Sequence, residues 1–167
     1  MSTVQRIAKN TASLFAAQAV IAVLGLVLSI LIARTLGDVE FGNYSFALAF
    51  TAIFAIFLDL GFNRLIVREV ARDKSAAPKY LGNIAIVKGA LSIVVFGLIA
   101  LTINLMNYPH DVTMAVLIFG LYIIFIAFGD LSRATFRAFE RMEYEALISI
   151  IRQVIITSLG IAPVLLD

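Results

Sequence analysis

The chain has 167 residues, 62% of them hydrophobic and 14% charged, with no cysteine, no tryptophan and a formal net charge of +2. Soluble domains run at about 45–50% apolar and about 25% charged residues, so a soluble enzyme, a disordered segment and a disulfide-stapled domain are all excluded. The charge surplus is too small to point to nucleic acid, and the mean hydropathy of +1.01 suits a polytopic membrane protein.

Residues 1–12 are a polar approach carrying Arg6 and Lys9, expected as a short cytoplasmic segment at the interface. Residues 13–167 hold five apolar stretches, each near the roughly 20 residues needed to cross about 30 Å of hydrocarbon. Ser13–Ala33 and Phe41–Leu58 are uncharged, and the second stops at Asp59. Leu81–Met106 contains only Lys88, Val112–Gly129 is uncharged up to Asp130, and Ala146–Leu166 contains only Arg152. None alternates with period two, so the fold class is all-α, a helical membrane bundle of about five transmembrane helices. The first stretch exceeds the 7–15 residues of a signal core and lacks a small-residue cleavage site, so it reads as a retained span. Pro163 should kink the last span.

Orientation follows from Lys and Arg in short loops. Arg6 and Lys9 precede the first span. Arg64, Arg68, Arg72, Lys74 and Lys79 separate the second and third, and Arg133, Arg137 and Arg141 separate the fourth and fifth. Only Arg34 falls on the opposite side, which places the N-terminus in the cytoplasm. Arg64, Arg68 and Arg72 are spaced four apart, as are Arg133, Arg137 and Arg141, so each trio makes one basic stripe on an amphipathic connecting helix at the cytoplasmic face. The stripes serve as anchors on anionic membrane lipids, or they help gather an anionic lipid substrate. Asp59-Leu60 and Asp130-Leu131 each precede a stripe, which hints at a duplicated hairpin.

An ionisable side chain within a span costs roughly 2.5–3.5 kcal/mol and needs a reason. Lys88 and Arg152 lie at similar depth in the cytoplasmic half, with Asp59 and Asp130 slightly shallower. Two accounts stay open. The cations pair with Asp59 or Asp130 and hold the bundle together. Alternatively Lys88, Arg152 and Arg64 face a cavity and attract an anionic group, with Asp59 and Asp130 as counter-ions or protonatable coupling sites. Gln18, Ser29, Asn43, Ser45 and Asn104 are expected mainly as interhelical hydrogen bonders. His110, the only histidine, has no partners for metal binding or catalysis, and no phosphate loop or hydrolase signature is present. An enzyme is not expected, and no cofactor or metal is called for.

The motifs resemble a known family. Ala33-Arg34-Thr35-Leu36-Gly37 leads into Phe41-Gly42-Asn43-Tyr44-Ser45, followed by Asp59-Leu60-Gly61, Arg68-Glu69-Val70-Ala71-Arg72 and Phe136-Arg137-Ala138-Phe139-Glu140-Arg141-Met142. This resembles the polysaccharide biosynthesis proteins of the O-antigen flippase type, in the superfamily of multidrug, oligosaccharidyl-lipid and polysaccharide exporters. The resemblance implies a cell-membrane flippase that moves a polyprenyl-(pyro)phosphate-linked oligosaccharide by alternating access around a cationic cavity. It implies lipids, the lipid-linked oligosaccharide, a remaining transporter lobe and polysaccharide assembly proteins as partners. Members of the superfamily have 12–14 spans in two lobes, so the chain is expected to correspond to part of an N-terminal lobe and to be a fragment. A cation-coupled multidrug extruder and a non-transporting membrane scaffold are the alternatives.

Overall fold

The computed structural model describes the backbone of residues 3–166 and, within it, the side chains of residues 11, 12 and 14–158. Among the described residues five helices follow one another: α1 (Thr3–Asp59), α2 (Phe62–Arg72), α3 (Ala77–Leu105), α4 (His110–Ala138) and α5 (Met142–Leu166), with a 3-10 turn at Lys74–Ala76. No strand occurs among the described residues, and the all-α membrane bundle expected from the sequence is the observed fold.

The first two apolar stretches lie in α1, which is broken at Gly37. There φ is 72° and ψ is 177°, a backbone region open essentially to glycine alone. The outer turn expected over several residues is thus one glycine wide. The segment expected at the interface is, from Thr3 on, continuous in backbone with α1; its side chains up to Asn10 lie outside those described. Pro163 also lies outside the described side chains, in a helix that runs through Leu166.

The chain forms two compact units, Gly42–Phe139 and the segments on either side of it. In the Gly42–Phe139 unit, α3 and α4 form a hairpin. Asn107 closes it in the left-handed region (φ 52°) and Pro109 caps the start of α4. The buried residues of α3 include Ile84, Lys88, Ser92, Val95, Ile99 and Ile103. Those of α4 include Val112, Val116, Gly120, Ile123, Ala127 and Leu131. Both sets advance by three or four residues, the stripe that lets two helices pack along their length. Gly120 faces the Phe96 ring of α3, and a Cβ there would lie 3.4 Å from it. Ala47 and Leu58 of α1 join this core. An aromatic group including Tyr44, Phe46, Tyr108 and Phe119 closes one end, with Phe46 stacked on Tyr108 at 4.7 Å between centroids and Tyr44 edge-on to Phe119 at 5.5 Å. Tyr122 joins it, edge-on to Phe119.

At the other end α2 lies over α3 and α4. Its apolar positions Ile66 and Val70 are fully buried against Ala77, Ile84, Leu131 and Ala134. The amphipathic pattern expected to lay this helix on lipid is answered by protein. Arg64, Arg68 and Arg72 face outward as one stripe. The second trio behaves differently and corrects the expectation. Arg133 and Arg137 continue α4 without a break, the helix ends at Ala138, and Glu140 turns the chain through a positive φ of 57° before Arg141. Arg133, Arg137 and Arg141 therefore share no single helix. The hinted hairpin duplication fails for the same reason, because Asp59 terminates α1 whereas Asp130 lies eight residues inside α4.

In the other unit, Ala17 and Leu28 of α1 and Ala146, Ser149 and Thr157 of α5 are buried. The Gln153 amide lies in ordinary contact range of Gly25, 3.9 Å from where a Cβ would stand.

Candidate polar site in the Gly42–Phe139 unit

Lys88 is the most deeply enclosed charge among the described residues, 1% exposed on the buried stripe of α3. Its ammonium donates a 2.7 Å hydrogen bond to the carbonyl of Ala127 on α4. An ammonium has three donors, and no other protein acceptor takes the remaining two among the described residues. They face a pocket of about 90 Å³ whose polar lining is Asp59, Asn63, Lys88 and Asp130. Ser92 donates to the Lys88 carbonyl at 2.7 Å, using the backbone rather than the ammonium.

Each acid has its own local partner. Asp130 is ion-paired with Arg133, one turn further along α4. Asp59, at the last position of α1, accepts from the Asn63 backbone N–H at 3.4 Å. The turn between them, Leu60 (φ 42°) and Gly61 (φ 85°), brings the start of α2 back toward the end of α1. With Arg133 answering Asp130, Asp59 is left as the pocket's counter-charge to Lys88. The Asn63 carbonyl oxygen is buried with no hydrogen-bond donor against it.

A second concavity, an open cleft of about 530 Å³, lies at the end of α1. It is lined by Ala55, Ile56, Asp59, Leu60, Gly61 and Arg64. The candidates read from sequence are thus divided. Lys88, Asp59 and Asp130 come together in the small pocket, while Arg64 stands with Asp59 in the open cleft. Arg152 lies on α5 in the other unit, half-buried, and its Nε is enclosed without a hydrogen-bond acceptor.

A model of the polysaccharide biosynthesis protein family matches residues 7–166. The chain belongs to that family. No curated protein and no solved structure matches it. Membership in the polysaccharide biosynthesis protein family, with helices long and apolar enough to cross a bilayer, makes this a membrane protein of polysaccharide-related transport.

Within this family member two further basic residues have local partners. Arg68 pairs with Glu69 at 2.8 Å, and Arg141 stands over the Tyr144 ring at 5.7 Å. Of the polar residues expected to bridge helices, Asn104 turns back on its own helix. It donates to the Ala100 carbonyl, and three residues outside that expectation, Thr51, Ser92 and Thr102, also donate four residues back. Gln18 and Ser29 are exposed on α1. Sequence reasoning missed Asn63 and the Ala127 carbonyl. Asn63 carried a faint signal, one helical turn after Asp59; a backbone carbonyl carries none.

Proposed function

We propose that the chain moves a polyprenyl-(pyro)phosphate-linked oligosaccharide across the cell membrane, with its N-terminus in the cytoplasm. It supplies one wall of an alternating-access path, and helices from a further lobe or a second copy supply the other. The observation that carries this reading is Lys88, a buried cation with two donors directed at a polar pocket. Burying a charge is costly unless it is paired or used, and a purely structural lysine would be satisfied on all sides. A pocket of about 90 Å³ admits a phosphoryl end and not a glycan, so Lys88 addresses the phosphate while the sugars lie outside.

The charge arithmetic then assigns Asp59. While the pocket is empty of substrate, Lys88 and Asp59 balance each other. When Lys88 turns to a phosphoryl oxygen, the Asp59 carboxylate is left facing a second anion. A cation drawn to Asp59 relieves that repulsion, so Asp59 is the group through which substrate entry couples to an ion gradient. A cation extruder would draw on free carboxylates, but here Arg133 already answers Asp130.

The test replaces Lys88 in the protein expressed in cells lacking the native gene, with leaflet-specific detection of the lipid-linked glycan. Lys88→Met should lower outer-leaflet glycan about tenfold or more, the scale of one lost charge-assisted contact, at unchanged membrane protein level. Lys88→Arg should retain part of the activity. Normal transport by well-inserted Lys88→Met overturns the assignment.

A further inference from the structure

The open cleft at the end of α1 sets Asp59 beside Arg64, a guanidinium that the transport proposal does not use. Its polar lining is one carboxylate, Asp59, and one guanidinium, Arg64; the rest is Ala55, Ile56, Leu60 and Gly61. The two charges do not form an ion pair with each other, and Arg64 makes none with any described residue. The turn explains their separation. The left-handed Leu60 and Gly61 leave the carboxylate on the last turn of α1 and the guanidinium on the first turn of α2. Around them the surface is aliphatic, with Ile56 70% and Leu60 60% exposed. A soluble ion would find no use for that apolar rim. A lipid would.

We propose that this cleft binds a phospholipid whose headgroup joins a primary ammonium to a phosphodiester. The ammonium donates to Asp59, the phosphate accepts from Arg64, and the acyl chains run over Ile56 and Leu60. The match is one of charge order. Guanidinium answers phosphate in a two-pronged geometry, while a carboxylate accepts only from N–H or O–H. Ethanolamine brings three N–H donors. Choline brings a cation with none, so it loses the hydrogen bonds to Asp59. A glycerol headgroup offers O–H donors but no cation, so no opposite charge offsets the repulsion between Asp59 and its phosphate, and a free phosphate or polyprenyl phosphate meets the same repulsion. The volume of about 530 Å³ lies within the range of about 300–1,000 Å³ usual for small-ligand sites. The cleft shares only Ala55 and Asp59 with the Lys88 pocket, and the inference stands whether or not Lys88 binds substrate.

The experiment loads the purified full chain, in neutral detergent, with an equimolar mixture of phosphatidylethanolamine, phosphatidylcholine and phosphatidylglycerol of matched acyl chains. Retained lipid is quantified by native mass spectrometry. The wild-type chain should retain phosphatidylethanolamine about tenfold over phosphatidylcholine, the scale of a lost charge-assisted hydrogen bond. Asp59→Asn should erase that preference, Arg64→Gln should lose the bound phosphatidylethanolamine, and Lys79→Gln, outside the cleft, should keep the wild-type pattern. Circular dichroism confirms that each variant is helical. A series on the wild-type chain needs no variant: N-methyl and N,N-dimethyl phosphatidylethanolamine should be retained progressively less as N–H donors are removed. Equal retention of all headgroups, a flat methylation series, or an undiminished preference in Asp59→Asn overturns the proposal.

Discussion

Lys88 stands on a stripe whose neighbours one turn away are Ile84 and Ser92, and its position makes sense only through α4. A lysine at that depth costs roughly 2.5–3.5 kcal/mol on insertion scales. The Ala127 carbonyl and the Asp59 charge offset part of that cost, and the offset exists only where α3 is packed against α4 and the end of α1. Asp73 shows the same logic outside the spans. Its carboxylate accepts from both the backbone N–H (2.9 Å) and the hydroxyl (2.6 Å) of Ser75, and these bonds hold its pKa below the usual carboxylate value. A depressed folded-state value means the charged form is favoured in the folded turn. Its contribution is therefore complete above the ordinary carboxylate range, about 3.9, and is lost as pH falls through the lower folded value. The Ser75 amide resonance in detergent micelles should accordingly hold steady from neutral pH to about 4 and move only below it. Asp73→Asn should show no such step; a step persisting in that variant would assign the titration elsewhere.

Helices divide into those whose pattern sufficed and those decided by one turn residue. The apolar stretches were legible because hydrocarbon thickness sets their length, and the face of α2 was legible because its period is helical. What covers that face was not. Periodicity reports that Ile66 and Val70 need an apolar partner and says nothing about whether lipid or Leu131 supplies it. The Arg133–Arg141 stripe misled because spacing of four assumes an unbroken helix, while Glu140, an ordinary residue held at positive φ, breaks it. Of the candidate site, the acids and Lys88 could be placed together from depth alone. The division between pocket and cleft could not, because it depends on the Leu60-Gly61 turn. Gly37 gives the sharpest test at this scale. Nothing lies within 4 Å of where its Cβ would be, so Gly37→Ala alters backbone strain alone. Its φ of 72° with an extended ψ should cost a side chain about 1–3 kcal/mol. Gly42→Ala, equally open but at an unstrained φ, is the matched control. A thermal scan in detergent should show Gly37→Ala melting below the wild type and Gly42→Ala at or above it. Equal melting of the two variants would mean that the break at Gly37 is not maintained by glycine.

Charge is distributed along the Gly42–Phe139 unit as a gradient from one end to the other. The end where α1 stops and α3 starts carries Arg64, Arg68, Arg72, Lys74, Lys79, Arg133 and Arg137. The opposite end, the Met106–Pro109 turn between helices of 29 residues each, carries no Lys or Arg. At 1.5 Å per residue those helices are roughly 43 Å long, enough to set the two ends on opposite sides of a bilayer. In the proposed orientation the basic end lies in the cytoplasm, as the short-loop bias expects, which is also the side from which the Lys88 pocket must be reached if it takes substrate before export. The absence of native cysteine makes the prediction clean, since every thiol signal belongs to an introduced residue. Ser75→Cys, at the basic end, should react with a membrane-impermeant maleimide only after the cells are permeabilised. Asn107→Cys, in the α3–α4 turn, should react in intact spheroplasts. Both variants reacting from the same side would deny that the α3–α4 hairpin spans the membrane. A reversed pattern would leave the fold intact but turn the Lys88 pocket away from the cytoplasm, and the proposed direction of transport would fall with it.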